Sequence, residues 1–436
     1  LFLLYNIFLM IDKNLIKKEI NHYFEEIKNI YRNGDYTEWT YRTPFENFIK
    51  NINKNYQLIQ EPKRTTGLGA PDFKAYNDNR KIGFIETKDL NANLDEILET
   101  EQLKKYIDAI DNLILTNYLQ FILIRNKKPV LNIDLFTLND LNKSKNSISN
   151  EKVEQFAQLI SNFFDYQLPT ISTAEELAMQ LSKKAILLKD SAIEQLTEDI
   201  NNFKNGNPTS SIYDFYQGIK ELINDIDIED CADAYAQTVT YGLFMAKKSY
   251  KTTLNRSSAA SYIPKSVGII KRIFTNISGD EFPSNIAWIV DDILDILNVA
   301  DLDKILSNID ERGKKDKEPI IYFYEDFLNY YEPQRRKQLG VYYTPRPVVN
   351  FIVNSVHIIL KEYFDKQLGL ADDSVNVLDP AAGTGTFFWI AYLVVLNELK
   401  KQGLSGMIED KIKNHLLKHF YGFELLITPY VISHLN

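Results

Sequence analysis

The chain has 436 residues, 44% of them hydrophobic and 25% charged, with a formal net charge of −9. A single cysteine, Cys231, excludes a disulfide framework and a cysteine-based zinc site, and five scattered histidines speak against a His-rich metal cluster. Net acidity argues against a surface that is basic throughout, although it leaves room for a local nucleic-acid groove.

The length suggests roughly two to four domains. Residues 1–11 are apolar, but they lack the basic segment and small-residue cleavage site of a signal peptide and are too short to span a bilayer. We read them as a leader outside the fold, with Met10 as the native start; the rival reading is a membrane or export segment. No later stretch approaches about 20 uninterrupted apolar residues, so no membrane partner and a cytoplasmic location are expected.

Residues 12–31 have helical periodicity, with apolar positions at Leu15, Ile16, Ile20, Tyr23, Phe24, Ile27 and Ile30. A second helix is expected from Thr43-Pro44, an N-cap and N1 pair, with Glu46 in its first turn. Asp72-Phe73-Lys74-Ala75-Tyr76, the turn cluster Asn77-Asp78-Asn79-Arg80, and Lys81 to Lys88 read as a β-hairpin. Strand alternation places Glu86 and Lys88 on one face, and Asp72 opens the partner strand. Two carboxylates and a lysine therefore converge. Carboxylate oxygens suit Mg²⁺, a lysine can stabilise developing negative charge, and Arg42, Lys50, Lys54, Lys63 and Arg64 make the flank basic. The alternative is a solvated hairpin without catalysis.

Pro71-Asp72 followed by Glu86-Thr87-Lys88 resembles the PD-(D/E)XK nuclease motif. Gln102 and Tyr106, four apart on the next helix, resemble the Q-x-x-x-Y motif found after the hairpin in nucleases fused to methyltransferases. The resemblance implies Asp72 and Glu86 as Mg²⁺ ligands, Lys88 as their electrostatic partner, and Glu46, Gln102 and Tyr106 as supporting site residues. Strands over 119–124 and 130–136 would complete a small mixed sheet.

The polar stretch 141–150 reads as a linker, and 151–328 as mainly helical, with Thr209-Ser210-Ser211 as a candidate cap. Residues 232–242 resemble the coupler of single-chain restriction-modification enzymes, and we read them as a packed, small-residue helix interface with no catalytic group. No G-x-x-x-x-G-K-[ST] string occurs, so no ATP partner is expected.

The aromatic helix 321–331 reads as core. Thr344-Pro345 caps the next helix, whose buried stripe is expected to be Val348, Val349, Ile352, Val353 and Val356. Then Val375 to Leu378, the glycine turn and the run from Phe387 read as strand, turn, helix, with Phe420 to Glu424 as the second strand. Helix N-termini and glycine turns at such strand ends hold anionic or nucleotide ligands.

Asp379-Pro380-Ala381-Ala382-Gly383-Thr384-Gly385-Thr386-Phe387 resembles the first S-adenosylmethionine-binding motif of adenine-specific DNA amino-methyltransferases, and Gly340-Val341-Tyr342-Tyr343-Thr344-Pro345 the motif that precedes it. The resemblance implies donor contacts from Gly340, Tyr342, Tyr343, Thr344, Asp379, Pro380, Ala381, Gly383, Gly385, Thr386 and Phe387, with Glu424 on the ribose hydroxyls. The family's Asn/Asp-Pro-Pro-Tyr/Phe motif is not in the sequence. The expectation is thus a multidomain α/β protein: leader 1–11, PD-(D/E)XK restriction-endonuclease-like α/β domain 12–145, all-α connector 146–325, and 326–436 as the start of a Rossmann-like class I methyltransferase domain, truncated. The order resembles type IIG restriction-modification enzymes, with double-stranded DNA as partner and S-adenosylmethionine and Mg²⁺ as cofactors. A modification-only methyltransferase with an inactive nuclease-like domain, or a non-enzymatic DNA-binding remnant, are the alternatives.

Overall fold

The computed structural model describes residues 13–61, 69–78, 80–143, 147–167, 171–221, 223–262, 268–279, 282–312, 319–331, 344–424 and 427–435. The chain forms two compact units, residues 1–169 and 170–436. The leader 1–11, Lys63, Arg64, Gly340, Tyr342 and Tyr343 lie outside the described residues.

The first unit is a six-stranded mixed sheet whose spatial order is its chain order. Its strands are β1 (Tyr56–Gln60), β2 (Phe73–Asn77), β3 (Arg80–Thr87), β4 (Asn112–Thr116), β5 (Gln120–Arg125) and β6 (Lys128–Asp134). All neighbours pair antiparallel except β3 and β4, which are parallel and start from Phe84 opposite Leu113. That one parallel pair needs a crossover, supplied by α3 (Leu94–Leu98) and α4 (Glu101–Ala109). Gly83 is required at the pair: a Cβ there would strike the backbone carbonyl of Asn112. The strand β4 is buried along its whole length, as a strand covered on both faces must be.

Three helices supply much of the core: α1 (Lys13–Asn33), α2 (Arg42–Ile52) and α6 (Asn150–Phe164). Tyr23 of α1 stacks on Phe48 of α2 at 4.4 Å, and Phe48 stacks on Phe156 of α6 at 5.4 Å. The side chain of Asn112 donates to the carbonyls of Ile82 and Phe163 at 3.1 and 3.0 Å, tying α6 to the sheet. The helix α6 thus belongs to the first unit, and the polar stretch expected as a linker is partly structured: α5 (Leu138–Asn142) buries Leu141 in the same core. Polarity misleads here because only one residue per turn of so short a helix faces inward.

The second unit begins with helices. Thr173 and Glu176 form a capping box on α7 (Ala174–Lys204), and Ser210 caps α8 (Ser211–Lys220), within the expected trio. The helix α9 (Ile228–Ser249) is buried over most of its length. Helices α10 (Arg256–Ala259), α11 (Gly268–Ile277), α12 (Ser284–Val299) and α13 (Leu302–Arg312) lead to α14 (Pro319–Tyr331). Phe323, Tyr324, Phe327 and Tyr331 of α14 are buried, as expected for core. A polar network crosses this interface: Tyr331 donates to Asp233 at 2.7 Å, Gln237 to Asp233 at 2.9 Å and Tyr324 to Gln237 at 3.1 Å.

The helix α15 (Arg346–Tyr363) starts one residue later than the sequence suggests, with Pro345 as N-cap and no side-chain bond from Thr344. Its buried face is Val349, Val353 and His357; Val348, Ile352 and Val356 are exposed, contrary to expectation. The helix packs by one face only, on a core shared with α16 (Thr386–Lys401). Two parallel strands, β7 (Val377–Asp379) and β8 (Phe420–Gly422), form the sheet, joined through α16 and a helical stretch over 405–419. The helix α17 (Ile427–Leu435) follows. Among the described residues, no helix is long and apolar enough to cross a membrane.

Candidate functional site

In the first unit, the register of β2 and β3 decides what meets. Phe73 pairs with Ile85, which brings Asp72, one residue before β2, to the end of β3. Asp72 Oδ2 accepts from the backbone N and Oγ1 of Thr87, both at 2.7 Å. Lys88 Nζ donates to Glu86 Oε1 at 2.6 Å, so these two side chains share a face. Asp72, Glu86 and Lys88 therefore converge.

The site has two further members: Glu38, to which the sequence did not point, and Arg42, expected only as a flanking cation. A short 3₁₀ turn, Glu38–Tyr41, runs directly into α2. Tyr118 fixes it by donating to the Glu38 carbonyl at 2.9 Å. Glu38 Oε1 accepts from Thr87 Oγ1 at 3.0 Å and from Arg42 Nη2 at 3.4 Å. Arg42 also donates from Nη2 to Asp72 Oδ1, and its guanidinium lies 4.1 Å from the Trp39 ring. Expected as a flanking surface cation, Arg42 is only 3% exposed. The helix starts at Arg42, so Thr43-Pro44 falls inside the first turn and does not cap it. A proline is tolerated there because a first-turn N–H lacks an intrahelical partner anyway.

Among the described residues the cluster is short of positive charge. Burial, then the like charge of Asp72, raise the Glu86 carboxyl from its usual 4.5 to about 7 in spite of Lys88. Burial and Asp72 likewise raise Glu38. Burial works to lower Lys88, but Glu86, Asp72 and Glu38 outweigh it and raise its pKa, so it remains an ammonium. Among the described residues Glu86 Oε2 is buried with no hydrogen-bond partner, as are Arg42 Nε and Nη1. A buried oxygen without a donor beside crowded carboxylates fits a cation, and an all-oxygen set fits Mg²⁺, which retains several waters. Among the described residues, no group of three or more His, Cys, Asp or Glu is arranged to hold a metal ion, so the protein would supply few ligands.

The supporting residues divide. Tyr106 is buried, and its hydroxyl donates to the Gly69 carbonyl, three residues before Asp72. It braces the segment that carries Asp72. Gln102, one turn earlier, is exposed. Glu46 accepts from Gln60 at 2.7 Å, and the carboxylates acting on Glu86 are Asp72 and Glu38.

In the second unit, β7 ends at Asp379 and the chain turns through Gly383 (φ 56°) and Gly385 (φ 85°) into α16. Positive φ is what requires glycine at these positions. Asp379 Oδ1 accepts from Ala381 N at 3.1 Å, and Oδ2 has no partner among the described residues. Glu424 Oε2 accepts from Gly383 N at 2.8 Å, joining the turn to the end of β8. A cavity of about 430 Å³ opens beside them. Thr384, Gly385 and Glu424 line it together with aromatic residues that sequence reasoning missed: Phe388, Trp389, Tyr392 and Tyr430. Pro380 and Ala381 are exposed, and Gly383, Thr386 and Phe387 half-buried, beside it.

Residues 316–436 match the N-6 DNA Methylase family. That match implies S-adenosylmethionine use by this part of the chain. No curated protein matches the chain. Several solved structures resemble it. The cryoEM structure of a DrdV–DNA complex is 20% identical over 97% of this chain and 38% of its own, with a TM-score of 0.39. The ATP-dependent Type ISP restriction-modification enzyme LlaBIII bound to DNA is 21% identical over 65% and 17%, at 0.39. A nuclease-deletion mutant of the Type ISP enzyme LlaGI with a DNA substrate mimic is 22% identical over 68% and 21%, at 0.39. The chain thus spans well under half the length of these proteins.

Proposed function

We propose that this chain carries the nuclease and donor-binding parts of a type IIG-like restriction-modification enzyme, a PD-(D/E)XK nuclease fused to an adenine-specific DNA methyltransferase. The observation that carries the nuclease half is the meeting of Asp72, Glu86 and Lys88 at the ends of β2 and β3. Asp72 and Glu86 would hold Mg²⁺. When bound, the ion would polarise a phosphodiester and lower the pKa of a coordinated water. Lys88, held protonated, offsets negative charge at the phosphate and does not serve as a base. Thr87 and Tyr106 fix the position of Asp72. In the second unit, Glu424, at the end of β8 beside the glycine turn, would accept from ribose hydroxyls, and the aromatic cavity wall would take the donor's adenine. Double-stranded DNA is the proposed substrate of both halves.

The test is supercoiled-plasmid cleavage with Mg²⁺ by the complete enzyme, comparing Asp72→Asn and Lys88→Ala with the parent. Both substitutions should abolish cutting while methylation persists. A second reading, modification without cleavage, is favoured by one feature: protein donors already engage both Asp72 oxygens. Parent enzyme that methylates but never cuts establishes that reading.

A further inference from the structure

The Arg42 guanidinium is an odd tenant of a metal-type site. It is 3% exposed and bonded to Asp72, yet two of its three nitrogens have no partner among the described residues. Each buried unpaired N–H costs free energy. Across the cluster, Glu86 Oε2 is the complementary orphan, a buried acceptor without a donor. The guanidinium lies over the half-buried Trp39 ring, beside a turn whose Glu38 side chain is 26% exposed.

We propose that Arg42 is a resident counter-ion that competes with a divalent cation for Asp72, and that a DNA phosphate relieves the competition by drawing the guanidinium away. The inference rests on the metal-nuclease reading above and assigns Arg42 the task of coupling metal loading to substrate. A cation at Asp72 and Glu86 would face the guanidinium at close range, a like-charge contact in a poorly solvated site. Phosphate is the ligand whose geometry suits a guanidinium, through two parallel N–H···O bonds; either edge that can make them, Nε with Nη2 or Nη1 with Nη2, joins an unpartnered nitrogen to the one that now holds Asp72. Coupling must be reciprocal: if DNA tightens metal binding through Arg42, metal tightens DNA binding through the same residue.

The test uses the full chain with Trp288→Phe and Trp389→Phe, leaving Trp39 as the one tryptophan, and Ca²⁺ as a non-cleaving probe at pH 8. Calorimetric titration should show Arg42→Met binding Ca²⁺ about tenfold or more tighter than the parent, because a nearby like charge is gone, with Arg42→Lys close to the parent. A short DNA duplex should tighten Ca²⁺ binding in the parent and leave Arg42→Met unchanged. Ca²⁺ should also shift Trp39 emission in the parent as the guanidinium leaves its ring, a readout that survives if Arg42→Met fails to fold. Ca²⁺ binding that Asp72→Asn abolishes, but that Arg42→Met leaves unchanged or weakens, overturns the competition and spares the metal site. Unchanged Trp39 emission during Asp72-dependent binding overturns it too. Binding that is absent, or indifferent to Asp72→Asn, sinks the metal-nuclease reading itself.

Discussion

Replacing Glu86 by Gln separates charge from shape at the centre of the cluster. Burial and Asp72 hold the Glu86 carboxyl at about 7 in the folded chain, against 4.5 as the ordinary value. At about 1.4 kcal/mol per unit, ionising it costs about 3 kcal/mol more in the folded state than in the unfolded one. The folded state therefore holds this proton more tightly. Its contribution to stability is complete below pH 4.5 and is lost as pH rises through 7. Gln keeps the shape and cannot ionise. The stability of Glu86→Gln relative to the parent should accordingly rise by about 3 kcal/mol between pH 4.5 and 8. Urea unfolding followed by Trp39 emission, with the other two tryptophans replaced by Phe, reports on the first unit alone. A difference that stays flat across this range would falsify the claim that Glu86 is ionised at a cost, and with it the argument that the site lacks positive charge.

Tyr106→Phe should cost about 1 kcal/mol in urea unfolding through the lost bond to Gly69, and weaken divalent-dependent cleavage more than it weakens the fold. Asn112→Ala removes three buried hydrogen bonds, those to Ile82 and Phe163 and one from Arg125; a loss of about 2–3 kcal/mol is expected by the same assay. Gly385→Ala forces an L-residue to φ 85°, a strain of about 1–2 kcal/mol; calorimetry with S-adenosylmethionine should show weaker binding, and crowding is not the cause, because the nearest atom to the added Cβ is Ser433 Cβ at 3.5 Å. Against burial, hydrogen bonds from Lys361, Gln402 and His357 hold Glu398 down at about 2. It contributes stability above its unfolded value of 4.5 and loses it as pH falls through 2, so the melting-temperature deficit of Glu398→Gln at pH 7 should shrink over that window.

Local signals in the sequence located most of the first site. The turn cluster 77–80 fixes the hairpin, and the hairpin's period of two fixes Glu86 and Lys88 on one face. Glu38 was illegible, and Arg42 legible only as a flanking cation, because Thr43-Pro44 is the stronger start signal, while the observed start at Arg42 has no side-chain cap to announce it. Glu46 carried the expected chemistry at the expected place on α2, yet its bond is to Gln60; which turn of a helix faces a strand end depends on tertiary packing. Gln102 and Tyr106 share a helix face by spacing, but burial separates them, since a face does not distinguish its inner end from its outer one. In the second unit the glycine turn and Glu424 were legible from the motif. The aromatic cavity wall was not, because Phe388, Trp389 and Tyr392 also satisfy a simple apolar helix.

The sequential order of the six strands bears on how the protein is made. Each strand pairs with its neighbour in the chain, and the widest gap is the crossover between β3 and β4. Such short-range pairing favours folding within about a second or less. Everything in the first unit precedes residue 170, and translating the rest takes on the order of ten seconds or more. The Asp72 cluster is therefore complete on the ribosome before the donor-binding turn has been synthesised. Under the function proposed above, a nascent chain at that stage would hold its cutting site before it had any means of protecting DNA by methylation.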